Sequence, residues 1–136
     1  MSKRNLKHLE IPQHTLPPFT FVPDRKTDRQ IAEGKCDNIP RIQEFIHRRR
    51  RQMIIHSVIY YRMDDSIISD YTWQDWANEL RDVQNRWPEL KAMGYHDDLF
   101  EEWDGSTGMH LDLVQYYSQA QRILGYHREK HGELLL

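Results

Sequence analysis

Hydrophobic positions return at helical spacing in three stretches of this chain. Trp73, Trp76, Ala77, Leu80, Val83 and Trp87 fall at i, i+3, i+4, i+7, i+10 and i+14, the stripe of an amphipathic helix. Ser69 or Asp70 supplies its N-cap, and Pro88 stops it. Upstream, Ile42, Phe45 and Ile46 form one apolar stripe, and Ile54, Ile55, Val58 and Ile59 form another. Both lie in a stretch that starts near Asn38 and Pro40 and meets no helix breaker before Met63. Between the stripes stands His47-Arg48-Arg49-Arg50-Arg51, more than a full turn at about 3.6 residues per turn. No face of the helix escapes positive charge there. That turn must be solvated, paired or bound, and a kink at this point fits the pattern. The third stretch carries Leu113, Tyr117, Ala120 and Leu124, with Gly125 where a C-terminal cap glycine is wanted and a fraying helical tail beyond it.

Residues 64–70 read as a connection, and residues 91–110, with Gly94, Gly105 and Gly108, as loop or short helical turns. The pattern predicts an all-α protein: a small helical domain over residues 38–136, built on a helical hairpin. Its centre is the stripe of the second helix packed on Ile54, Ile55, Val58 and Ile59. Residues 1–37 do not read as a packed element. Four of the six prolines fall between Ile11 and Pro23, so an extended N-terminal arm is expected. The arm also carries Ile11, Leu16, Phe19, Phe21 and Val22, which suits a segment lying across a surface.

A length of 136 residues suits one domain. Apolar runs such as Met53-Ile54-Ile55 are far too short to span a bilayer, so no membrane partner is expected. Lys3, Arg4 and Lys7 have no apolar region behind them, which argues against a secretory signal. The single cysteine, Cys36, excludes an internal disulfide and a cysteine-rich zinc site, and a cytoplasmic location is expected. Charge is unevenly spread. Residues 1–61 hold twelve Lys/Arg against six Asp/Glu, and residues 62–136 hold seven against fifteen. A basic end can meet an anionic partner, or the two halves can complement each other within a monomer or a homo-oligomer.

Two constellations carry candidate chemistry. Tyr60-Tyr61 ends one helix and Asp70 opens the next, with Trp73 one turn on. Rings at the mouth of a helical hairpin offer a stacking platform for a flat heterocycle, and a carboxylate there can accept from an amide or ribose, or pair with a pyridinium. On the residues alone, the favoured roles are core anchors for the tyrosines and a helix cap for Asp70. Arg48, Arg49, Arg50 and Arg51 are candidates for nucleic-acid or partner binding. No metal site is expected: His127 and His131 lack a third ligand, and the acids Asp97, Asp98, Glu101, Glu102 and Asp104 have the composition of a solvated cluster. Ser106-Thr107-Gly108 lacks the flanks of a phosphate loop.

The stretch from His56 to Leu90 resembles the N-terminal helical subdomain, domain Ia, of NAD-dependent DNA ligases. Tyr60-Tyr61, Asp64, Ile68-Ser69-Asp70, Trp73, Leu80 and Trp87-Pro88-Glu89-Leu90 carry the likeness. Gln74 departs from it, standing where the family has an aspartate. Over roughly residues 46–124, including Phe100-Glu101-Glu102-Trp103-Asp104-Gly105-Ser106-Thr107-Gly108, the chain is similar to small ligase-related proteins of phages of Gram-positive bacteria. The resemblance implies Tyr60, Tyr61, Asp70 and Trp73 as contacts for the nicotinamide mononucleotide (NMN) half of NAD. It also implies a setting in a bacterial host cell. No Lys-x-Asp-Gly adenylation motif occurs, so no ligase activity is expected of this chain alone. The expected function is a non-catalytic accessory module that binds NMN or NAD, or docks on a host or phage protein. The alternative is an interaction factor that uses the arginine run and the arm, with the hairpin as scaffold.

Overall fold

The computed structural model describes residues 22–132, and the apolar positions of the arm before Val22 lie outside them. Helix α1 spans Arg25–Ala32, α2 Ile39–Arg62 and α3 Asp70–Arg86. A 3-10 turn over Pro88–Leu90 follows, then the one-turn helix α4 (Asp97–Phe100), 3-10 turns at Met109–Leu111 and Val114–Tyr116, and α5 (Tyr117–Gly132). The described residues contain no strand, and none of their helices is long and apolar enough to cross a membrane.

Local chemistry accounts for the two long helices. Asn38 Oδ1 accepts from the amide of Arg41 at 3.2 Å, and Pro40 sits in the first turn, where its missing N–H costs nothing. Ser69 Oγ accepts from the amide of Thr72 at 3.0 Å and opens α3. Between the helices Asp64 adopts a left-handed φ of 52°, a conformation that aspartate tolerates better than most side chains. The stripes then pack as their spacing predicts. Ile54, Ile55, Val58 and Ile59 of α2 are buried against Ala77, Leu80 and Val83 of α3, with Trp73, Trp76 and Trp87 partly buried against the same core.

The arginine run answers differently from a binding patch. At about 100° per residue, four consecutive side chains fan around almost the whole helix. Each meets a different neighbour. Arg48 donates to Asp28 of α1 at 2.8 Å through two nitrogens, and to Glu44 at 2.7 and 2.9 Å. Arg49 reaches Glu79 of α3 at 2.5 Å and lies over the Trp76 ring. Arg50 is fully buried; it donates to Gln84, to the carbonyls of Lys91 and Tyr95, and to Asp97. Arg51 reaches Gln119 of α5 at 2.9 Å. So α2 continues unbroken from Ile39 to Arg62 as the central helix, its charged turn paired on every side. Asp97, read from sequence as part of a solvated cluster, is a structural acid. Burial pushes its pKa up, but amide donors at Gly94 and Met93 together with Arg50 hold it below the usual carboxylate range.

Two boundaries are corrected. Residues Arg25–Ala32 of the expected arm are helical, capped by Asp24, which accepts from Thr27 N–H at 2.8 Å. Only Ile31 of this helix is buried, so it shows no apolar stripe; it is docked by the Asp28–Arg48 pair and by Arg86, which donates to the carbonyls of Ile31 and Ala32. Gly125 is an exposed interior position of α5, because the helix former-rich sequence after it carries the helix to Gly132.

Candidate functional site

The last turns of α2 and the first turn of α3 face a common cleft of about 210 Å³. Tyr60 and Tyr61 leave the end of α2 with half-exposed rings, their centroids 4.9 Å apart and their planes at 90°. Asp70 is the first residue of α3, and Trp73, one turn later, turns inward to a ring contact with Trp103 at 6.2 Å. All four residues singled out from the sequence line this cleft. The Asp70 carboxylate makes no hydrogen bond or ion pair among the described residues, and Ser69 supplies the N-cap. The four arginines of the run line none of it.

A third segment completes the cleft. Trp103 donates its indole N–H to the carbonyl of Ala77 at 3.0 Å, and Gln74 Nε2 donates to the carbonyl of Gly105 at 2.9 Å. These two bonds hold the loop from Trp103 to Gly108 against α3. Gln74, the departure from the ligase pattern, is therefore a tether for the opposite wall. Gly105 keeps a left-handed φ of 80° close to the Ala77 carbonyl. Asp104 accepts from Ser106 N–H at 2.9 Å, turning Ser106, Thr107 and Gly108 toward the tyrosines.

Ser57 lies one turn before Tyr60 and Tyr61 on the same face of α2. It is 1% exposed, lines the cleft, and its hydroxyl has no hydrogen-bond partner. A buried hydroxyl without a partner costs about 1–3 kcal/mol, so an acceptor or donor brought into the cleft would gain by meeting it. Gly108 stands directly above: a Cβ there would lie 2.3 Å from Ser57 Oγ and 3.0 Å from the Trp73 ring. Only glycine leaves the cleft open at this point. His56, beside Ser57, turns away from the cleft onto Trp76, with ring centroids 5.7 Å apart, and burial pushes its pKa down to about 4.

Ser57, Gln74 and the Ser106–Gly108 wall were not assigned a role from sequence. The stretch from Phe100 onward belonged to the resemblance, but nothing local tells that it folds back onto α3. Among the described residues no group of three or more His, Cys, Asp or Glu is placed to hold a metal ion. The chain matches no protein-family model, no curated protein and no solved structure.

Proposed function

We propose that this chain is a non-catalytic binding module whose cleft takes a nicotinamide ring and its ribose, as found in NMN and in the NMN half of NAD. One observation supports it above the rest: Tyr60, Tyr61, Asp70 and Trp73, from two helices, line one cleft together with a buried, unpartnered hydroxyl at Ser57. Two tyrosine rings and a tryptophan offer faces for stacking, Asp70 accepts from a sugar hydroxyl, and Ser57 meets a carboxamide. The volume bears on the ligand's size. About 210 Å³ is below the roughly 300–1,000 Å³ of sites that enclose drug-sized ligands, so the cleft suits a ring and sugar and leaves a dinucleotide's remainder in solvent. Phosphate or nucleic-acid binding by Arg48 to Arg51 has no observation in its favour, since Arg49 and Arg50 are 5% and 0% exposed and all four meet internal partners.

A few stacking and hydrogen-bond contacts correspond to micromolar to millimolar affinity, about 8.2 to 4.1 kcal/mol. Titration calorimetry with NMN and NAD tests this. Similar weak affinities for the two are expected, because the adenylate half finds no wall to meet. Absence of both heat and thermal shift with millimolar NMN, NAD and nicotinamide riboside alike would remove the nicotinamide reading.

A further inference from the structure

We propose that the cleft selects a cationic, unphosphorylated ring, a pyridinium riboside, over the corresponding phosphorylated nucleotide. The inference rests on the nicotinamide reading for the ring and goes beyond it on charge.

Electrostatics of the lining carry the case. Among the described residues that line the cleft there is one carboxylate, Asp70, and no lysine, arginine or histidine. A phosphate would therefore enter beside a like charge and meet no cation. Among the described residues, two arginines at the segment joining α2 and α3 are held in ion pairs. Arg62, directly after Tyr61, pairs with Asp112 at 3.0 Å and lies over the Tyr117 ring, and Arg128 pairs with Asp65. His56, next to Ser57, is uncharged near neutral pH and packs on Trp76. The N-terminus of α3 points a positive dipole end this way, but Ser69 already caps it and Asp70 occupies its first turn.

Geometry favours a cation as strongly as charge disfavours an anion. Tyr60 and Tyr61 stand perpendicular at 4.9 Å, with Trp73 as a third ring. Aromatic rings and a carboxylate lining one cleft are the groups by which proteins hold organic cations. Ser57 remains as the unmet polar group for the ring's carboxamide or the sugar.

The test is calorimetry on the full chain at low salt with four probes: nicotinamide, 1-methylnicotinamide, nicotinamide riboside and NMN. The first pair differs in ring charge, the second in phosphate. The cationic ring should bind about tenfold more tightly than neutral nicotinamide, and the riboside about tenfold more tightly than NMN, the scale of one charge interaction near a protein surface. Both gaps should narrow in high salt. Asp70→Asn should weaken the riboside and level the riboside with NMN, while Ser69 keeps the helix capped and the circular dichroism unchanged. NMN binding as tightly as the riboside, or nicotinamide as tightly as its methylated cation, would overturn this inference and leave the nicotinamide reading standing. Silence from all four probes would end both.

Discussion

Arg50 Nε and Nη2 both donate to the side-chain oxygen of Gln84, at 2.9 and 2.7 Å, although the two residues lie on different helices and neither reaches solvent. Gln84 in turn donates to the carbonyl of Phe100 at 3.0 Å. The remaining Arg50 donors go to the carbonyls of Tyr95 and Lys91 and to Asp97, so one guanidinium joins α2, α3 and the segment leading into α4. Its five N–H groups are the reason a buried charge is tolerable here. Arg50→Met should cost about 3–5 kcal/mol, because it leaves Asp97 and Gln84 without their donor. Urea unfolding measures this, and a variant with an unshifted midpoint would show that the network contributes nothing.

Gly108 and Ser57 should behave as a coupled pair. Gly108 has an ordinary φ of −114°, so alanine is not resisted by the backbone but by the 2.3 Å approach to Ser57 Oγ. Gly108→Ala should cost about 1–3 kcal/mol and block the cleft. Ser57→Ala removes a buried hydroxyl that has no partner and should be neutral or stabilising. Combining them should recover part of the Gly108→Ala loss, since the closest atom is gone. A double mutant that is simply the sum of the singles would refute the contact.

His56 should make stability fall in mild acid. Burial lowers its pKa from 6.5 to about 4, and Nδ1 has no partner, so the folded chain resists the proton that the unfolded chain accepts. The contribution is complete above pH 6.5 and is lost as pH falls toward 4, by up to roughly 3 kcal/mol. His47, lowered to about 4 chiefly by burial, acts in the same direction. His56→Phe should flatten the decline over this window while keeping a ring against Trp76. An unchanged pH profile of the melting temperature would exclude His56 as the source.

Leu80 is fully buried at the junction of α2 and α3. Leu80→Ala should cost about 2–5 kcal/mol, a large share of the stability of a domain this size. Trp76→Ala should approach the same range, because the indole also covers Arg49 and His56. Denaturant midpoints close to the parent's would mean that the hairpin is not the centre of the core.

The sequence by itself determined the hairpin: Asn38 as one cap, Ser69 or Asp70 as the other, Pro88 as a stop, and two stripes that bury against each other. These are relations between residues within a few turns, where backbone geometry makes spacing equivalent to direction. It also singled out Tyr60, Tyr61, Asp70 and Trp73, which line one cleft because they sit at the ends of the two helices that the hairpin joins. Only the tertiary structure decided the rest. Whether Arg48 to Arg51 are solvated, paired or bound stayed open in the sequence, because local spacing says nothing of Asp28, Glu79, Asp97 and Gln119, between 20 and 68 positions away. Helix α1 has no such signal because its place depends on one ion pair and on hydrogen bonds from distant Arg86 instead of an apolar stripe. The opposition of Gly108 to Ser57 followed from packing alone: a close approach is a property of where two segments meet, and no periodicity in either segment records it.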